Sequence, residues 1–279
     1  MKTKALIPLH DLHANYFLIG QIEKADSVRF GVHHRHQFYE ILWFTSNGQD
    51  HSVDFEDYPV CKNLVYFLAP GQVHAMPGPR PTGFVIALAP EFVNGIPEAY
   101  LKHLFNLSVN EGIQLIDEQL PPLELLVRLL QLEQAGGQHP LVVQSYVKAF
   151  LLHIYQATRE TNPAVAQFSD KRLVTLSALI QQHYREERKT DFYADHLGLT
   201  PQRVNELLKE KWGYTITQAI HNQLILEAKR SISLCERSFK EIAFDLGFNE
   251  QAYFSRFFKK QTGITPEAFR EKILARTSS

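Results

Sequence analysis

Two sets of side chains in this 279-residue sequence have the types and spacing to do chemistry. The first is His34, His36, Glu40 and His74. Imidazoles and carboxylates are donors to divalent ions, and residues at even spacing on a strand project to one side. His34, His36 and Glu40 have that spacing. A second strand carrying His74 would add another imidazole, so the set could converge on one ion or one polar ligand. The second set is in the last third of the chain. Gln202, Arg203, Asn205, Glu206 and Lys209, and then Gln251, Ala252, Ser255, Arg256 and Lys259, fall on the outward side of two segments. Their inward sides are Val204, Leu207 and Leu208 in one and Phe254, Phe257 and Phe258 in the other. Amide and guanidinium groups make the bidentate contacts that read adenine and guanine edges in the major groove, and ammonium groups meet phosphate. Any amphipathic helix shows polar residues outside, but two copies in tandem favour groove reading.

The elements that must hold the first set read as strands. Apolar, β-branched and aromatic runs at 16–22, 38–44, 51–55, 63–69 and 83–89 are broken by Ser46-Asn47-Gly48, Asp57-Tyr58-Pro59, Pro70-Gly71 and the cluster from Pro77 to Gly83. That rhythm predicts antiparallel hairpins in a small barrel or sandwich. Alternation places His36, Phe38 and Glu40 on one face and Gln37, Tyr39 and Ile41 on the other, without saying which lines the interior. Phe38, Trp43 and Tyr66 are candidate linings of a small-molecule site, or plain core. After Pro90 the apolar period changes to 3.6, predicting helices at 122–135 and 138–160 parted by Gly136-Gly137. Residues 161–169 have no period and are assigned as a linker.

The second set belongs to an internal repeat. ADHLGLTPQRVNELLKEKWG (194–213) resembles AFDLGFNEQAYFSRFFKKQTG (243–263), each a helix, a glycine turn and a second helix. Gly198 and Gly247 sit where a helix ends in the left-handed conformation. Thr200-Pro201 and Asn249 are the start signals of the second helices, and Ser238 with Glu241 forms a capping box. Between the copies, 217–234 reads as a connecting helix that would let two recognition helices enter major-groove segments about 34 Å apart.

Length argues for two domains, each able to bury a core. The net charge of -1 conceals an asymmetry: residues 1–169 carry net -5 and 170–279 net +4, so the C-terminal third is the part suited to phosphate. Cys61 and Cys235 have neither disulfide nor zinc spacing. No signal-peptide h-region or membrane-length apolar run is found, and a cytoplasmic location is expected. No Ser/His/Asp motif, phosphate-binding glycine loop or carboxylate pair supports an enzyme.

Residues 171–273 resemble the DNA-binding domain of the AraC/XylS family of bacterial transcription regulators, and 238–270, SFKEIAFDLGFNEQAYFSRFFKKQTGITPEAFR, resembles its signature throughout. The resemblance implies base-facing roles for Gln202, Asn205 and Glu206 and for Gln251, Ala252, Ser255 and Arg256. Glu206 departs from the family, where arginine is frequent, and suits a cytosine amine or a neighbouring side chain rather than guanine. More loosely, 33–48 and 67–76 resemble the cupin-type sensor of such regulators, and the His/Glu set follows the ligand order of metal cupins. Pro70 and Gly71 are adjacent rather than separated, however, and Gly78 stands where asparagine is expected. The set is therefore assigned to an effector pocket (His34, His36, Phe38, Glu40, His74) or to structural roles, with no metal and no cofactor.

The expected fold class is α+β multidomain. Residues 1–160 form a cupin-like antiparallel β-barrel with following helices, for effector binding and dimerisation. Residues 161–169 are a linker, and 170–279 an all-α domain of two helix-turn-helix motifs joined by a helix. The implied function is an effector-controlled, non-enzymatic transcription activator. Its partners would be promoter DNA, a small-molecule effector, RNA polymerase and a second copy of the chain, and not a membrane. The alternatives are a metal-dependent cupin enzyme fused to a DNA-binding domain and a ligand-independent DNA-binding protein.

Overall fold

The computed structural model describes residues 9–10, 12, 17–24, 31–76, 78–96, 101, 103–106, 112–137, 139–161 and 170–277. They fall into two compact units, one within 8–169 and one within 170–279. The expected linker, Thr161 apart, lies outside the described residues.

In the first unit the strands are β1 (Leu9–His10), β2 (Phe17–Gln21), β3 (Arg35–His36), β4 (Tyr39–Phe44), β5 (His51–Val53), β6 (Glu56–Tyr58), β7 (Leu64–Leu68), β8 (His74–Ala75), β9 (Gly83–Leu88) and β10 (Ile113–Gln114). A five-stranded sheet has the order β10-β7-β4-β9-β2, all antiparallel. A three-stranded sheet has the order β6-β5-β8, and β1 pairs with β3. Both faces of the large sheet are covered. Ile41, Trp43, Val65, Phe67, Ile86 and Leu88 join a core with the helices α2 (Leu120–Gly136) and α3 (Pro140–Thr161), which follow a short α1 (Pro90–Asn94). Leu42, Phe44, Leu64, Tyr66, Leu68 and Val85 form a second core with Val53 and Met76 of the smaller sheet and its flank. Coverage on both sides is why all five residues of β7 are buried and its sequence is a continuous apolar run.

One expectation changes here, and one left open between two readings is decided in favour of plain core. The hydrogen bonding describes open sheets packed through a shared core; it does not describe a closed barrel. Trp43 does not line the interior between the sheets: it faces the helices, its ring centroid 6.2 Å from that of Phe150, while Tyr66 points to the other side.

Within the smaller sheet one carboxylate ties the β5–β6 hairpin to the approach to β8. The Asp54-Phe55 hairpin takes positive φ at both residues and turns β5 into β6. Asp54 accepts the Val73 N–H (3.2 Å) and the Gln72 Nε2 (2.9 Å), pinning the approach to β8.

The second unit is helical: α4 (Lys171–His183), α5 (Thr190–Leu197), α6 (Pro201–Trp212), α7 (Ile216–Ser233), α8 (Phe239–Asp245), α9 (Gln251–Thr262) and α10 (Pro266–Thr277). The central α7 buries Ile216, Ala219, Ile220, Leu224, Ala228 and Ile232 and packs on both helix pairs, α5–α6 and α8–α9. Among the described residues no helix is long and apolar enough to cross a membrane.

Candidate functional site

Local rules build each helix pair. α5 ends at Gly198 (φ 62°), Thr200 Oγ1 accepts the Arg203 N–H, and Pro201 opens α6. α8 opens with the Ser238/Glu241 capping box and is followed by Gly247 (φ 75°). At Gly247 a Cβ would lie 2.4 Å from the Arg185 carbonyl oxygen, so both backbone conformation and space demand glycine there. Arg188 reinforces this turn by donating to the Leu246 and Gly247 carbonyls and lying over the Phe248 ring. The start signal expected at Asn249 falls one residue early: the cap position is Glu250, whose side chain makes no capping bond.

The two second helices bury Val204, Leu207 and Leu208 in α6 and Phe254 and Phe258 in α9, with Phe257 half-buried against His221. Their outward residues differ in what is left to offer. In α6, Glu206 accepts from Gln202 Nε2 and from Arg203 Nη1, both at 3.0 Å, so its charge is met within the helix. Asn205, expected to face outward, is half-buried, and its Oδ1 accepts the Ile216 N–H at 3.0 Å, tying α6 to the start of α7. Lys209 is exposed. In α9, Gln251, Ala252, Arg256 and Lys259 are exposed and Ser255 is half-buried; the side chains of Arg256 and Lys259 make no hydrogen bond or ion pair among the described residues.

The other set lies in the first unit. His36, Glu40 and His74 come together, all buried, with one ligand-type atom from each within 4.8 Å of the others. Nε2 of His36 stands 3.4 Å and Nε2 of His74 3.6 Å from Glu40 Oε2. His34 is adjacent, its ring 4.2 Å from that of His74, but falls outside that group of three. Phe38 is half-buried and stacks on His36 at 4.1 Å. The residue that sequence reasoning missed is His51, buried on β5 with Nε2 3.1 Å from His74 Nδ1. Strand alternation places it on the same face as Val53, but only the pairing of Val53 with His74 shows what that face meets. Burial lowers His51 to about 4 and His74 well below the usual imidazole value, so both rings are neutral near pH 7. Burial pushes the Glu40 carboxyl up, but the charge of His36 and its other neighbours more than offsets this and holds it below the usual carboxylate range. None of the expected effector residues lines a separate open cleft of about 450 Å³, whose walls include Gln21, Glu23, Thr82, Glu124, Arg128 and Gln131.

Comparison with known proteins addresses the C-terminal unit most directly. Residues 193–272 match the family described as "Helix-turn-helix domain". A 77-residue stretch is 35% identical to the arabinose operon regulatory protein of Salmonella typhimurium, covering 28% of this chain and 27% of that one. The C-terminal unit carries a helix-turn-helix domain. Outside this helix-turn-helix domain the likeness continues at lower identity. The Escherichia coli K12 arabinose operon regulatory protein is 27% identical over 182 residues, 62% of this chain and 61% of its own length. The "HTH-type transcriptional activator RhaS" of Pectobacterium carotovorum is 23% identical over 261 residues, 87% of this chain and 88% of that one. Among solved structures, ToxT from Vibrio cholerae O395 aligns over 92% of this chain and 98% of its own at 14% identity, with a TM-score of 0.47.

Proposed function

We propose that this chain is a sequence-specific DNA-binding transcription activator in which the AraC-type domain reads two segments of major groove. The observation that carries the reading is the exposed, unengaged Arg256 on α9, within a pair of helix-turn-helix motifs that share α7. Arginine on the outward face of a recognition helix is the commonest reader of guanine. In α6, Gln202, Arg203 and Glu206 engage one another and Asn205 is turned to α7, so base discrimination rests chiefly on α9 and α6 contributes position and phosphate contact through Lys209. Promoter DNA and RNA polymerase are the partners this reading requires.

The N-terminal unit is assigned the regulatory part. A small-molecule effector is placed in the open cleft beside α2 rather than at the buried histidines, because the cleft has room and the histidines are packed. Homodimerisation is assigned to α2, where Leu125, Leu129 and Leu132 form an exposed apolar stripe at helical spacing, with Leu141 exposed at the start of α3. Relatives named as transcriptional regulators over most of the chain's length support the same reading.

Binding titrations on a selected operator and on a scrambled duplex test it. Arg256→Ala is expected to cost about 1–3 kcal/mol on the operator and little on the scramble, while Lys259→Ala weakens both alike through phosphate. Equal losses on the two duplexes for Arg256→Ala would remove the base-reading role.

A further inference from the structure

We infer that the N-terminal unit holds a divalent first-row transition-metal ion between His36, Glu40 and His74. This reverses the expectation from sequence, and it stands on the first unit alone, independent of the DNA-binding reading. Three polar atoms there have no hydrogen-bond partner: His36 Nε2, Glu40 Oε2 and His74 Nε2. Each is buried, and leaving such groups unpaired is costly. They face one another. His36 Nδ1 lies 2.8 Å from the Phe38 carbonyl oxygen, which can only accept, so Nδ1 carries a proton and Nε2 is the ring atom turned toward the cluster. It stands 3.4 Å from the Glu40 carboxylate oxygen, and a cation seated between the two would bind both. Ligand atoms about 2.1 Å from an ion at tetrahedral angles stand about 3.4 Å apart. The observed separations of 3.4 and 3.6 Å fit that figure.

The supporting framework, whose absence the sequence spacing suggested, is supplied in another way. The adjacent Pro70-Gly71 turn donates the Gly71 N–H to the His36 carbonyl at 2.9 Å. His34 and His74 exchange both main-chain hydrogen bonds, at 2.9 and 2.8 Å, fixing β8 beside the strand that carries His36. Asp54 clamps Val73 from the other side, and His51 holds His74 through Nδ1. Outer groups of this kind set the ring orientation of metal-binding histidines. Two imidazoles and one carboxylate, without thiolate, suit zinc, iron, cobalt or nickel rather than calcium or magnesium, and leave a coordination position for water or an oxygen donor.

The full chain, prepared without a polyhistidine tag and stripped with chelator, is titrated with Co²⁺ and Zn²⁺ and followed by visible absorption, elemental analysis and X-ray absorption at the bound metal. One equivalent is expected, with two imidazoles and one carboxylate in the coordination shell. Binding is lost in His36→Ala, His74→Ala and Glu40→Gln, is kept in His153→Ala on the exposed face of α3, and weakens about 10–100-fold in His51→Ala. If a ligand variant fails to fold, the coordination shell of the wild-type protein decides. Absence of stoichiometric binding, binding unchanged in the ligand variants, or a shell without two imidazoles would overturn the assignment.

Discussion

Glu206 shows how one side chain can silence the residues around it. It binds Gln202 and Arg203 on an exposed helix face, and its own carboxyl is held below the usual range chiefly by the Arg203 hydrogen bond. Such a surface pair is weak, so its importance lies in what it withholds: a guanidinium kept from phosphate and a negative charge set toward it. Glu206→Gln is therefore expected to raise affinity for all duplexes by up to about fivefold at low salt, with the gain fading as salt rises. A fluorescence titration at two ionic strengths checks this, and a loss of affinity confined to one operator position would instead give Glu206 a base contact. The pairing was legible as an alternative, since an acid cannot grip guanine. Asn205 was not legible. It sits at the edge of the buried stripe formed by Val204 and Leu208, and its partner eleven residues away depends on the turn after Gly213.

At the scale of elements, the helix-turn-helix pairs and the strands could be read because their signals are local: period, capping residues and glycine at left-handed positions. What could not be read was the meeting of strands. The convergence of His74 with His36 and Glu40, and the arrival of His51 behind it, follow from pairings between β5, β8 and the strand before β4 that no local pattern specifies. The open sheets, and the burial of Trp43 as core beneath the helices, depend on the same long-range pairing. The repeat also hides an inequality between its turns. Gly198 has open space where a Cβ would go, whereas Gly247 is pressed on the Arg185 backbone, though both have positive φ. Gly198→Ala is expected to cost about 1 kcal/mol and Gly247→Ala at least about 3 kcal/mol, since steric overlap adds to backbone strain. Urea denaturation of both variants tests this, and equal costs would mean that the 185–188 segment yields freely.

For the whole molecule, uneven charge and two separate cores point to separable functions. The +4 of residues 170–279 is diluted by the -5 of the rest, so the isolated C-terminal part meets DNA without that acidic companion. A fragment of residues 165–279 is expected to fold, to bind DNA as a monomer and to ignore effector. Residues 1–160 are expected to dimerise through the α2 leucines, and the full chain to bind an operator more tightly than the fragment through avidity. Sedimentation and DNA titration of the three proteins check this together. An unfolded C-terminal fragment, or an N-terminal fragment that stays monomeric where the full chain is dimeric, would require a different division of labour.

The central position of α7 has a consequence for how such a protein and its operator can change over time. At 18 residues the helix is about 27 Å long, and each residue in it advances the chain by about 1.5 Å and turns it by about 100°. Because α7 packs on both motifs, it works as a phase lock between two periodicities, that of the protein helix and that of the duplex with its 10–10.5 base pairs per turn. Loss of one residue from a surface loop is a small displacement, but loss of one from α7 swings α9 to a different side of the duplex from α6. The spacing of the recognised DNA is thus written in the length of one helix, and a drift in either can be tolerated only when the other drifts to match.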